Sequence, residues 1–597
     1  MSSEAILLGL GLIMGLGIFL QWFSKIIKIP GIILLLPAGI LVGPVLGLVN
    51  PNEIFGQSLF PLVTIGVGLL LFKGGFELKI NAIQPDSRKT VGRLISIGVV
   101  ITLLAGATAA FYIFKIPTIL AFLLAAILVV SGPTVVGPVL SIARPKQPVG
   151  HILLWEGITI DPIGASLGVA VISFITSQNP NPAYDMFLTI AIGITIGVIT
   201  AILYVASERS GRIPPNLNPL IALMFVIMAI VSAEMIFSEA GLFAALTMGF
   251  IVGNQRITPA VGVRKFSETI EPLIIGILFI MLASLVNLSS LAEFIIPSLI
   301  LVAVYILIIR PLVSYISTIR LGFSLSQRAF IGFMAPRGIV AASTSSLFAI
   351  NLSNVGVSFP QLVPVVFTVI IATVSVYGLS APVLSRRLNL SMPDRNAVVL
   401  VGDQSWVIKL AQLLNQAGTG VMLLTSSIGS PPGGLKKDVP FYVYSGPIAE
   451  LDDEDICDDA HEFKSSVKWV INATDDLNKV KIIEEVFIRE IGHHNIITFG
   501  RNRGKQDNEI HGGLKVIDVL SRTPFGLFGK NIDELLDILE SGGDFELIKL
   551  DPDFLKAGRS SGQKPFLRIK NDGSLAVPGN LNSIGEGESL IMINIKN

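Results

Sequence analysis

The residues best able to do chemistry lie in three otherwise apolar stretches. LLWEGITIDPIGA carries Glu156, Thr159 and Asp161, VVSGPTVVGPVL carries Ser131, Gly132, Pro133 and Thr134, and FMAPRGIVAASTSS carries Arg337. Five residues of α-helix turn about 500° and rise about 7.5 Å, so Glu156 and Asp161 point roughly 140° apart and cannot form one paired-acid site. Asp161 shares its face with Gly157, Gly164 and Ala165, small residues that admit another backbone or a water-filled cavity, and Pro162 leaves the Ile158 carbonyl without its usual donor. An oxygen-rich pocket at one carboxylate suits a hard monovalent cation or a proton. The competing account is an acid held only by structural hydrogen bonds. Pro133 and Pro138 remove the partners of the Val129 and Thr134 carbonyls, which predicts a helix interrupted in mid-membrane where it lines a cavity. Arg337, between Pro336 and Gly338, needs a carboxylate, and Glu156 is the expected partner in a structural salt bridge. Lys73, in LLLFKGGFEL, is either a group in coupling or a side chain snorkelling to the interface. Arg310 and Glu234 sit deep enough to need partners but carry no motif.

These charges matter because most of the surrounding chain must live in a bilayer. Of 597 residues, 51% are apolar and 14% charged, with a mean hydropathy of +0.72, which excludes an ordinary water-soluble enzyme. A spanning helix takes roughly 20 mainly apolar residues. Thirteen such segments are expected, at about 4–24, 30–49, 56–77, 93–114, 117–142, 149–175, 185–206, 215–236, 239–254, 267–287, 291–319, 328–350 and 361–385. Eighteen loop lysines and arginines fall on one side and Lys115 alone on the other, placing the N-terminus outside and the C-terminal part in the cytoplasm. The N-terminal run reads as a first transmembrane helix and not as a signal peptide, since its lysines follow the apolar stretch.

The formal net charge of zero divides unevenly. Residues 1–395 hold 22 basic against 14 acidic side chains, and residues 396–597 hold 21 against 29. An apolar basic part is thus followed by an acidic soluble one, with no sign of a nucleic-acid binder. Its runs AVVLVG (397–402), VMLLT (421–425), WVINA (469–473) and IITFG (496–500), with a helix around 408–417, read as a βαβ series on a parallel sheet. From about Lys515, FELIKL and SLIMINI suggest a small β-rich subdomain. The lone Cys457 allows no intramolecular disulfide and no Cys-type metal site. The acidic run 450–459 and the tandem His493-His494 read as solvated loops, so no metal is expected.

Taken together, SGPTVVGP, WEGITIDPIGA, APRGIVAA and FTVIIATVSVYG resemble the monovalent cation:proton antiporter-1 family, bacterial Na+/H+ antiporters related to the sodium/hydrogen exchangers, across about residues 5–390. The resemblance implies a polytopic α-helical fold of two inverted six-helix repeats, with a dimerisation part and a mobile core, and hence a homodimer. It implies interrupted helices in the fifth and last segments, the second break near Ala372 and Thr373. Asp161 becomes the shared cation and proton ligand, with Thr134 and Thr159 as oxygen donors and Glu156 with Arg337 as the stabilising pair. The implied activity is electroneutral exchange of Na+, or K+ or Li+, for H+ by alternating access in the plasma membrane, without an enzymatic reaction. A tail-gated cation channel and a K+/H+ efflux system regulated through the tail are the alternatives. Three positions depart from the family pattern, removing carboxylate and amide ligands: Ile160 where Asn is frequent, Gly132-Pro133 where Asp-Pro is frequent, and Lys73-Gly74-Gly75 where Glu-Gly-Gly is frequent.

The expected domains are thus a transmembrane exchanger (1–390), a Rossmann-like α/β regulatory domain (396–510) and the β-rich subdomain (511–597). The α/β part resembles regulatory domains appended to potassium channels and transporters. In its first βα turn, VGDQSWV, only Gly402 matches the glycine fingerprint, and Thr425-Ser426 replaces the ribose-binding acid. No nicotinamide or other nucleotide cofactor is therefore expected.

Overall fold

The computed structural model describes residues 3–27, 29–80, 83, 85–176, 181–214, 216–255, 261–391, 397–425, 431–436, 439–445 and 467–474, with short pieces beyond at 479, 482–483, 486–487, 496–498, 544–549, 563–569, 575–576 and 589–594. Cys457, the acidic run, His493-His494 and the boundary expected at 510/511 lie outside the described residues. The chain forms two compact units, residues 1–391 and 392–597.

In the first unit, nine helices among the described residues are long and apolar enough to cross a membrane. The remaining expected segments are a short helix ending in a wide turn (Ile32–Val45), a short helix (Ala240–Asn254) and two pairs of half-helices. This is an integral membrane protein. Many large apolar side chains are exposed, such as Leu7, Leu307 and Met235, as lipid-facing helices require.

Segment five is interrupted as expected, with Thr118–Ile127 and Pro133–Ala143 separated by a non-helical stretch. Pro133 opens the second half-helix, where its missing N–H leaves no bond unmade. The second interruption is not in the last segment. Leu362–Arg387 runs through Ala372 and Thr373 as one helix, because no proline falls there and Pro382 lies one turn from its end. The break falls in segment twelve, between Leu325–Phe333 and Ile339–Asn354, where Pro336 and Gly338 withhold a donor and a side chain. Breaks in segments five and twelve are an odd number of crossings apart, so the two half-helix pairs run in opposite directions through the bilayer.

The breaks meet at two glycines. A Cβ at Gly132 would lie 2.9 Å from the Gly338 Cα, and one at Gly338 would lie 2.8 Å from the Gly132 Cα. Each glycine is the N-cap of its following half-helix, so two helix N-termini converge here.

The second unit carries a parallel sheet of order β3-β2-β1-β4-β5, from Ala397–Val401 (β1), Val421–Leu424 (β2), Phe441–Tyr444 (β3), Val467–Asn472 (β4) and Ile496–Thr498 (β5). Strand β3 was not among the expected runs. It is an edge strand, half-buried along its length, and so lacks the continuous apolar character of β1. The helix Ser405–Gln416 buries Trp406, Val407, Leu410, Ala411 and Leu414. Strands Asp544–Lys549 (β6), Gln563–Ile569 (β7), Leu575–Ala576 (β8) and Ser589–Asn594 (β9) form an antiparallel sheet of order β6-β9-β7-β8.

The glycine crossing gives a direct test. Gly132→Ala and Gly338→Ala push a methyl into backbone and should each lower stability by about 1–3 kcal/mol, the range for overpacking. Gly137→Ala, where a Cβ meets nothing within 4 Å, should leave the melting temperature in detergent unchanged or raised.

Candidate functional site

The helix Val149–Thr176 presents two acids to two surroundings. On one face, a Cβ at Gly157 would lie 3.2 Å from the Ser131 carbonyl oxygen, and one at Gly164 would run into the Val130 side chain. Asp161 stands between these glycines on the same face, level with the break of segment five. It is 1% exposed, and its Oδ1 has no hydrogen-bond partner. Thr134, in the first turn of the half-helix that begins beside Asp161, is also buried, and its Oγ1 too lacks a partner. A Cβ at either crossing glycine would come within 3.4 or 3.5 Å of that hydroxyl. Buried polar atoms without partners are few in folded proteins and demand an account. A buried carboxylate oxygen and a hydroxyl oxygen, both without a partner and set beside the unwound carbonyls of the break, are groups that could take a hard cation or a proton as substrate.

On the other face, Glu156 is 2% exposed and pairs with Arg310, not with Arg337. Both guanidinium NH2 groups of Arg310 donate to the two carboxylate oxygens, Nη2 to Oε2 at 2.6 Å, and Nε donates to the Ile331 carbonyl at 3.2 Å. This bidentate geometry is the strongest form of such a pair. The expected Glu156–Arg337 bridge therefore does not form; segment eleven, which carries no motif, supplies the partner. Arg337 donates through Nη1 to the Val130 carbonyl at 3.2 Å, capping the broken helix, and its guanidinium lies 5.1 Å from the Tyr305 ring centre. Its backbone N–H donates to Thr373 Oγ1 at 3.3 Å. Thr373 thus braces the break of segment twelve from a continuous helix, and Ala372 beside it makes no break of its own.

Thr159 is not brought to Asp161. Two residues of helix separate them by about 200°, and its hydroxyl donates back to the Trp155 carbonyl at 2.7 Å. Ser131 contributes its carbonyl beside Gly157, and its side chain lines a small cavity with Glu156, Arg310 and Arg337. Lys73 lies away from this site, with Nζ 2.6 Å from Glu77 and 3.0 Å from Glu271. Glu271 has no counterpart in the sequence reading, since the segment ten sequence FSETIEPL reads as an inner end. Glu234 accepts from the Glu239 and Gly241 N–H groups, capping the short helix Ala240–Asn254.

The pairing makes a prediction. Glu156→Ala or Arg310→Ala strands a buried charge and should cost roughly 3–5 kcal/mol, the scale for a broken buried pair. The double variant should recover part of that loss in a detergent melt, whereas Glu156→Ala with Arg337→Ala should show a much smaller coupling.

Comparison with known proteins follows the same ground. The sequence profile of the family described as sodium/hydrogen exchanger, transmembrane, matches residues 12–387. The Na(+)/H(+) antiporter 1 of Methanocaldococcus jannaschii is 24% identical over 409 residues, covering 66% of this chain and 95% of that protein. The K(+)/H(+) antiporter NhaP of Alkalimonas amylolytica is 26% identical over 403 residues, covering 65% and 68%. A solved structure of the sodium proton antiporter of Methanocaldococcus jannaschii at pH 8 shares the fold, with a TM-score of 0.58 at 24% identity over 65% of this chain and 99% of that one. With well over half its length matched, through both interrupted helices and the helix of Asp161, the chain belongs to the transmembrane sodium/hydrogen exchanger family.

Proposed function

We propose that the chain is a secondary antiporter that exchanges a monovalent cation, Na+ foremost, for H+ at Asp161 by alternating access. The observation that carries this is the buried, unbonded Asp161 Oδ1 beside the crossing of the two interrupted helices, with the unbonded Thr134 hydroxyl on the same break. One carboxylate serves as the common ligand, so proton and cation exclude each other. The two similar antiporters are named for Na+ and for K+, which supports the reaction class and leaves K+ as the second substrate. The lysine and arginine asymmetry supports an outside N-terminus and a cytoplasmic tail in the plasma membrane. The family resemblance supports a homodimer.

The tail is proposed to be regulatory and to work without a dinucleotide. Where the fingerprint has its second glycine the chain has Gln404, whose Oε1 lies where a Cβ on Gly402 would go and whose Nε2 donates to the Ala473 carbonyl at 2.8 Å. That side chain fills the place where a pyrophosphate would approach the backbone.

Asp161→Asn should abolish cation-driven proton flux in proteoliposomes while the protein still inserts and melts near wild type. Flux above about a tenth of wild type, a loss of less than roughly 1.4 kcal/mol in the barrier, would reject Asp161 as the carrier. Thr134→Val should raise the apparent KM for the cation severalfold, and Thr159→Val should leave it close to wild type.

Exchange should be electroneutral. Ile160 places no second acid beside Asp161, and Lys73 is engaged by Glu77 and Glu271, so neither is expected to add a proton to the cycle. An imposed diffusion potential of about 100 mV, worth roughly 2.3 kcal/mol per charge moved, should leave Na+-driven proton flux unchanged. A severalfold response to voltage that disappears in Lys73→Ala would make Lys73 a proton carrier instead.

A further inference from the structure

Segments four to six and eleven to thirteen bury four charged side chains among their described residues: Glu156, Asp161, Arg310 and Arg337, each less than a tenth exposed. Glu156 and Arg310 cancel as a bidentate pair. Arg337 has no carboxylate within ion-pair distance among the described residues; its side chain has one carbonyl and one aromatic face. The groups that face it are Asp161, near enough to feel its charge but not within ion-pair distance, Glu156, already paired, Arg310 of like sign, and the phenols Tyr305 and Tyr377. A buried guanidinium left this way is expensive, because most of its N–H groups have lost water without gaining an anion.

Beside it lies a cavity lined by Thr102, Ser131, Glu156, Tyr305, Arg310 and Arg337 among others, small enough for a single water or monatomic ion. Tyr305, 3% exposed, has a hydroxyl without a partner. Two wide π-helical turns, at 94–98 in segment four and 305–309 in segment eleven, both contribute to its wall. Such turns open a helix where space for a ligand is needed. Two guanidinium groups against one carboxylate give the lining a net positive charge. The cavity is on the Glu156 and Ile160 face of its helix and does not include Asp161.

We propose that this cavity is a binding site for one small monovalent anion of halide size, chloride under ordinary conditions, held against Arg337. Resting on the antiport reading, the anion also explains obligatory coupling. Without it, the buried charges cancel while Asp161 is bare, so the empty carrier could cross, and loading Asp161 leaves one positive charge in the membrane. With it, the proton-loaded and cation-loaded carriers are neutral and the bare carrier is negative, so only loaded carriers cross the low-dielectric barrier.

The test uses the full-length protein. In detergent at equal ionic strength, chloride and bromide should raise the melting temperature above that in gluconate, as a ligand of the folded state must, and Arg337→Gln should erase the difference. Bromide-soaked crystals should give an anomalous peak beside Arg337. Equal melting in all three anions, or bromide density only elsewhere, overturns the proposal; if Arg337→Gln does not fold, those wild-type measurements decide alone. In voltage-clamped proteoliposomes, replacing chloride on both sides should cut coupled exchange by about tenfold or more, the scale of 1.4 kcal/mol, and release cation flux not matched by protons. Exchange that stays coupled without chloride overturns the proposal, whereas a bromide peak in a protein that moves no cations would fault the antiport reading and not the site.

Discussion

Two glycine backbones in van der Waals contact are the constraint on which the centre of the membrane unit depends. Gly132 and Gly338 have no side chains to separate them, so the broken stretches of segments five and twelve cross with almost no gap. The crossing brings two half-helix N-termini together in a medium that offers no water to satisfy them. Two polar side chains nearby answer part of that problem. Arg337 takes one exposed carbonyl, and Thr373 accepts the backbone N–H of Arg337. Asp161 stands beside the crossing with its Oδ1 left without a partner.

The buried charges follow from the same low dielectric. Each ionised group inside the bilayer must find compensation within reach, and which one it finds is decided by helix adjacency. Segment eleven passes beside Glu156 with a guanidinium able to grip both oxygens, and so Arg310 forms the pair while Arg337 remains with the broken helix. Lys73 shows the same rule, between Glu77 on its own helix and Glu271 of segment ten. The consequence for transport is a division of labour along one helix: Glu156 is locked into the frame, and Asp161, little more than one turn later, is left unbonded.

In the tail, strands β2 and β4 flank β1 on either side, so the chain reverses its winding at the carboxyl ends of β1 and β4, the place where ligands of such sheets enter. Gln404 ties the two sides of that reversal together through the Ala473 carbonyl. The brace is thus supplied by the chain itself, at the place where the fingerprint would have its second glycine.

The sequence by itself determined the membrane class, the approximate bounds of the segments, the parallel sheet of the tail, the break at Pro133 and the isolation of Asp161 from Glu156. All of these rest on period, composition or proline chemistry within one element, which is local information. It pointed to Asp161 because an acid among small residues in an apolar run leaves room for a pocket beside it. Only the tertiary structure decided the rest. The second break belongs to Pro336 and Gly338 and not to Ala372 and Thr373, where the helix 362–387 runs on with no proline to interrupt it. Arg310 in place of Arg337, Glu271 beside Lys73 and the half-buried edge strand β3 were hidden for a common reason. A contact between elements far apart in the chain leaves no periodic mark in either, so a partner is fixed by which helices touch and by nothing that can be counted along the sequence.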